Sequence, residues 1–342
     1  MVLRPWREGV TPHPDVATGR YHQAEFAADL AQVISGRAEP EYHDPVEFFA
    51  RTYLTEGISR LLQASLERLS GKGGEPVIQL KTAFGGGKTH TMLALYHLVC
   101  TETAPDQLSG IPAILEAVGI EALPQAKCAV IAGTALNPSR ERGDAAGNGV
   151  IVRTLWGEIA AQLGGQEAYA LVESADKTGT APGSDDLVAL FEHVGPCVVL
   201  LDELVAYARN IYGTQGLTAG SFDSNMTFVQ SLTEAARRSP NALLVAAIPE
   251  SNIEIGGEAG EAALARIENT FGRMEAVWKP VGATEGFEIV RRRLFTPVKD
   301  EKARDAVCSA FSSLYTCLFY TSDAADDLPA VTLGGRRLLT KQ

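Results

Sequence analysis

Four residues set the chemistry open to this chain: Lys88, Thr89, Asp202 and Glu203. The first two close the run Phe84-Gly85-Gly86-Gly87-Lys88-Thr89-His90. A phosphate needs several backbone N–H donors converging on one point, and glycine lets the chain pass that close without a Cβ clash. The β-prone segment Pro76–Thr82 precedes the run. Met92, Leu93, Leu95, Tyr96 and Leu98 follow it, a mostly apolar stretch suited to a helix buried under a sheet. Strand, glycine turn and helix form the layout of a phosphate-binding loop, with free N–H donors and a favourable dipole at the helix start. In that layout Phe84 to His90 is the nucleotide-binding stretch, Lys88 neutralises the β- and γ-phosphates, and the Thr89 hydroxyl ligates Mg²⁺. The His90 side chain reads as a packed or capping group and not as a base. The strict pattern carries a further glycine where Thr82 stands. The competing reading is a glycine-rich connection with Lys88 merely exposed.

The second pair ends the run Cys197-Val-Val-Leu-Leu-Asp-Glu203, which follows the breakers Gly195 and Pro196. A continuous apolar run of this kind is what a central parallel strand, covered on both faces, looks like. Two carboxylates at its C-terminal end fall where open α/β sheets bind ligands. Asp202 would hold Mg²⁺ through water, and Glu203 would polarise the attacking water of a phosphoryl transfer. The alternative is an exposed acidic pair at a strand end. Each motif alone also has a plain structural reading; their order in one chain strengthens the chemical one.

The chain has 342 residues, 45% hydrophobic and 21% charged, the profile of a globular protein of one large or two ordinary domains. No apolar run approaches the roughly 20 residues of a membrane helix, and the N-terminus lacks a secretory apolar segment, so a cytoplasmic protein is expected. The scattered Cys100, Cys128, Cys197, Cys308 and Cys317 suggest reduced thiols and not disulfides or a metal site. A formal charge of −12 argues against broad, nonspecific nucleic-acid binding.

These residues need a scaffold, and the pattern around them supplies one. Residues 1–72 read as a mostly helical N-terminal segment, with a helix near 23–35. A second helix, capped by Asp44 with Pro45 in its first turn, runs through Phe48, Phe49, Leu54, Ile58, Leu61, Leu62, Leu66 and Leu69 to the glycines at 71–74. A core over 73–280 alternates strands and helices: strands at 76–82, 127–133, 197–202, 242–248 and 275–279, with helices at 150–163, 223–238 and 262–271 among others. That alternation predicts an α/β fold, a parallel sheet with helices on both faces. From about Val281 the chain turns helical, with caps at Thr284 and Asp300. Residues 281–316 would be a partial helical lid. From about Cys317 the pattern breaks, and 317–342 resembles translated sequencing-adapter read-through; a non-native tail on a truncated gene is expected, with an ordinary disordered tail as the alternative.

With glycine loop, acidic strand end and helical lid in this order, the chain resembles an AAA+ P-loop ATPase. More closely, PWREGVTPHPDV, AEFAADL, FFARTYLTEG, FGGGKTHTM, TLWGEIAAQLGG, LLDELVAYAR and EGFEIVRRRLF resemble a domain-of-unknown-function family of large prokaryotic ATPases, often found in anti-phage defence gene clusters. The resemblance spans roughly residues 4–315. It implies ATP and Mg²⁺ as ligands, hydrolysis that remodels a protein or nucleic-acid partner, and a homo-oligomer that completes each site in trans. It also implies a polar group after the strand at 242–248, here Ser251 or Asn252, and a trans arginine, for which Arg273 is chosen over Arg266. Arg291, Arg292 and Arg293 read instead as a solvated helix face, with Glu288 pairing Arg291 and Arg292. An ATP-gated switch with little turnover is the alternative. A kinesin-like motor is disfavoured, because GKTHTM has no serine-rich switch and DxxGxE element to accompany it.

Overall fold

The apolar runs at Val77, Lys127, Cys197 and Ala242 form strands β1 (Val77–Thr82), β2 (Lys127–Ala132), β5 (Cys197–Asp202) and β6 (Ala242–Pro249), and three two-residue strands join them: β3 (Arg142–Gly143), β4 (Ile151–Val152) and β7 (Val277–Trp278). The structure, a computed structural model, describes residues 5, 9–19, 28–82, 87–143, 149–250, 255, 257–271, 277–278, 281 and 285–321. Strands β3 and β4 pair as a small antiparallel hairpin, and the other five form one sheet in the order β2-β5-β6-β1-β7. All its pairings are parallel.

Two compact units divide the chain, His22–Arg293 and Met1–Tyr21 with Leu294–Gln342. The second contains α1 (Pro14–Thr18), an antiparallel bridge from Pro12 to Phe295, and the long C-terminal helix Glu301–Thr321. The first holds the sheet and α2 (Leu30–Ile34), α3 (Pro40–His43), α4 (Pro45–Arg51), α5 (Glu56–Leu69), α6 (Lys88–Val99) and α7 (Ile111–Val118). It continues with α8 (Leu155–Ala170), α9 (Glu173–Thr178), α10 (Ser184–Val194), α11 (Leu204–Ile211), α12 (Phe222–Arg238), α13 (Gly257–Phe271) and most of α14 (Gly286–Leu294).

Strand alternation divides the core between the two faces of the sheet. Along β5, Cys197, Val199 and Leu201 join α8, α10, α11, α12 and α13 in one cluster. Val198 and Leu200 point the other way, into a cluster with α5, α6, α7 and the short helices before them. The N-terminal helices therefore share their hydrophobic core with the sheet. β5 and β6 are buried at every position, which is why they read as unbroken apolar runs.

Some elements differ from expectation for local reasons. The long helix expected from Asp44 is two helices. Asp44 accepts from the amides of Val46 and Glu47 to start α4. The hydroxyl of Thr55 accepts from Ile58 N (3.1 Å) to start α5, and Thr52–Thr55 lies between. The helix expected at 150–163 starts later, at Leu155, because Ile151 and Val152 are spent on β4, and it kinks at Gly164 and Gly165. The C-terminal helix runs on to Thr321, past the expected break at Cys317, and residues 322–342 lie outside the described residues. Reduced thiols throughout were expected, yet Cys100 and Cys128 form a disulfide with Cα atoms 5.9 Å apart. The residue capping the end of α6 and the edge strand β2 come together there, a meeting invisible in sequence spacing. Cys197 is free and buried, and Cys308 is free and exposed. Among the described residues, no helix is long and apolar enough to cross a membrane.

Candidate functional site

Gly87 turns the chain into α6 with φ of 81°, a left-handed conformation that disfavours any side chain there. Its carbonyl accepts from the Thr91 amide (2.9 Å) and the Thr91 hydroxyl (2.8 Å), which fixes the first turn of the helix. Lys88 and Thr89 stand in that turn, both half-buried. Beyond it, Met92, Leu93, Ala94, Leu95, Leu98 and Val99 are buried, so α6 is anchored almost all round. Lys81, the other lysine near the loop, is paired with Glu268 of α13 at 2.6 Å.

β5 delivers the two carboxylates. β6 lies between β1 and β5, so the strand bearing Asp202 is not the neighbour of the strand that leads into the glycine turn. Asp202 reaches across that gap: the Thr89 hydroxyl donates to its Oδ2 at 2.8 Å. Asp202 is buried, and its Oδ1 accepts from the Glu203 amide (3.1 Å). Burial pushes its carboxyl above the usual range. The Thr89 bond opposes this, the Glu203 charge adds to it, and the Glu203 amide and the Lys88 ammonium again oppose it. A cation at this point would favour the ionised form. Two hard oxygen donors suit Mg²⁺, which binds through one or two protein oxygens and keeps waters and substrate phosphate oxygens for the rest. Among the described residues there is no cluster of three or more His, Cys, Asp or Glu that could hold a metal. A cation held by these two oxygens would take its remaining ligands from water or a bound phosphate.

Glu203 is set differently. It is exposed, and it is the only described non-glycine residue with positive φ (52°). Its carbonyl accepts from Ala206 and Tyr207 to open α11. Its Oε2 accepts from the hydroxyl of Thr134, in the turn Gly133–Ala135 just after β2. Gly133 has no room for a side chain, because a Cβ would overlap the Glu203 carbonyl. Sequence reasoning passed over Thr134. The signal available was its place two residues beyond the end of a strand. The register, which pairs Ala132 with Asp202, was not readable.

The His90 ring turns to the N-terminal helices: Nε2 lies 3.0 Å from Thr52 Oγ1, and the ring centroid is 4.6 Å from that of Phe48. Any part His90 takes in ligand binding therefore falls to its backbone. Phe84, Gly85, Gly86, Ser251, Asn252 and Arg273 lie outside the described residues. β6, which precedes Ser251, ends between β1 and β5, with Pro249 in register with Thr82. Arg266 is exposed on α13, with a loose 3.6 Å pair to Asp223. Of the three arginines expected on a solvated face, Arg291 pairs with Glu288 (2.7 Å) as its spacing suggests. Arg292 instead donates to Ser109 Oγ (2.6 Å), and Arg293 pairs with Glu41.

A profile of the DUF499 N-terminal domain matches residues 11–276. The chain belongs to the DUF499 family. No curated protein matches it. The span matched to DUF499 takes in the glycine turn, both carboxylates and Thr134, and ends just before β7.

Proposed function

We propose that this DUF499 chain is a P-loop ATPase of the AAA+ kind, which binds and hydrolyses Mg·ATP to remodel a protein or nucleic-acid partner. What carries the reading is the 2.8 Å bond from Thr89 to Asp202, which joins two motifs that the sequence keeps 113 residues apart. Backbone amides of the glycine turn and Lys88 would hold the triphosphate, and Thr89 and Asp202 would hold Mg²⁺. Bound there, the ion would supply charge neutralisation of the β- and γ-oxygens. Glu203 would take up and orient the attacking water, at an exposed position where water has access. An arginine of a neighbouring copy, Arg273 in this proposal, would complete the site, and Ser251 or Asn252 would meet the γ-phosphate. Anti-phage defence and a cytoplasmic setting belong to the same proposal.

One observation favours a second reading, an ATP-gated switch that seldom turns over. The Glu203 carboxylate is engaged by Thr134, and a base so occupied is not aimed at water. Comparing Glu203→Gln with the native chain separates the two. Hydrolysis through Glu203 requires turnover to fall by about 10²–10⁴ in the variant with ATP binding intact. Equal turnover in both proteins contradicts it.

A further inference from the structure

The N-terminal helices meet α6 through two histidines. Phe48 packs between His90 and His97, with ring centroids at 4.6 and 5.0 Å. His97 Nε2 lies 2.8 Å from the Tyr42 carbonyl oxygen, and the Tyr42 ring stands edge-on to His90 at 6.4 Å. Thr52, buried at the end of α4, meets His90 Nε2 at 3.0 Å. Arg293 of α14 also packs on Tyr42. Its guanidinium lies 5.1 Å over the Tyr42 ring and pairs with Glu41, which also pairs with Arg51 at 2.8 Å. Two further bonds seat the start and the last turn of α14: Glu285 accepts from the Glu56 amide (2.8 Å), and Arg292 donates to Ser109 (2.6 Å).

We propose that His90 is a positioning residue for the phosphate site, through which Thr52, Tyr42 and the Glu41–Arg293 pair set the placement of Lys88 and Thr89. This rests on the ATPase reading. The chemistry favours orientation over bulk stability. A threonine–histidine bond contributes little net stability, and an apolar pair of the same shape would pack as well. What the bond adds is direction, since it holds the ring, and the helix turn that carries it, against the end of α4. His90 follows Thr89 directly, and a phosphate site loses much of its power when its ligands drift by a fraction of an ångström. Glu41 stands between two arginines, with side chains 13%, 12% and 20% exposed for Glu41, Arg51 and Arg293. Removing its charge would weaken the hold on both arginines and loosen α14 from Tyr42.

The test uses the full chain and compares Thr52→Val, Thr52→Ser and Glu41→Gln with the native protein. Amide hydrogen exchange over residues 89–93 is read without nucleotide, and MgATP is titrated separately. Thr52→Val keeps the shape of the side chain and removes the hydroxyl. It should raise exchange in that turn and weaken MgATP binding by about fivefold each, the worth of one hydrogen bond, with the melting temperature falling by only about 2–4 °C. Thr52→Ser, which keeps the hydroxyl, should behave as native. Glu41→Gln should shift both readouts the same way, by less. Unchanged exchange in Thr52→Val overturns the positioning role, and so does raised exchange with native MgATP affinity. A native chain that binds no MgATP instead overturns the ATPase reading beneath it.

Discussion

On the side of the site proposed to hold phosphate, Gly87, Lys88 and Thr89 open a helix buried along nearly its whole length. On the water side, Glu203 is exposed, holds a left-handed backbone and is held by one hydroxyl from the turn after β2. Asp202 belongs to the first side and Glu203 to the second, although they are neighbours in sequence. The difference teaches which half the fold makes rigid. The candidate ligand-holding groups sit on elements locked by the two cores, whereas the candidate water-orienting group hangs on a contact that a single rotamer change would break.

Breaking the phosphate side should give the largest effect. Lys88→Ala is expected to weaken ATP binding by about a hundredfold or more in an equilibrium titration, because it removes charge-assisted bonds to the phosphates. Unchanged affinity would contradict the role given to Lys88. Next comes the link between the sides. The Cys100–Cys128 disulfide joins the end of α6 to β2, the strand that leads into Thr134, and spans 28 residues. A loop of that length implies roughly 3–4 kcal/mol of stabilisation, so reductant should lower the melting temperature by about 10 °C. Cys100→Ser should melt at the reduced value with or without reductant. On the water side, Thr134→Val is expected to raise ATP turnover about fivefold by freeing Glu203, with ATP affinity unchanged. A fall in turnover would mean that Thr134 orients Glu203 productively.

The smallest effect concerns pH. Burial lowers the pKa of His97 from its ordinary 6.5, partly offset by the Tyr42 carbonyl bond, and lowers that of His90 to about 4. The unfolded chain therefore takes up protons before the folded one does. Stability should decline as pH falls below 6.5, and His97→Gln should flatten that decline in denaturant titrations. Parallel curves for the two proteins would count against it.

How much of this was legible in sequence follows from what each signal depends on. β5 and β6 were readable because strands covered on both faces have no polar positions to hide them, and α6 because a glycine turn and an apolar run bracket it. The break at Thr52–Thr55 was not, because apolar residues continue on both sides of it at helical spacing. Arg293 looked solvated because its pattern on α14 says nothing of Glu41, which lies 252 residues away in sequence. The same holds for Thr134, whose meaning depends on the pairing of β2 with β5. Local chemistry was visible; the partners brought by strand order were not. That β6 stands between β1 and β5 also had no sequence signal, although it decides how Asp202 must reach Thr89.

The central claim is that Thr89 and Asp202 together hold a magnesium ion against a bound triphosphate. The most direct measurement is ATP affinity with and without Mg²⁺, in the native chain and in Asp202→Asn. The expected result is binding that tightens strongly with Mg²⁺ in the native chain and loses that dependence in the variant. Binding that ignores Mg²⁺ in both, or no binding by the native chain, would contradict the account.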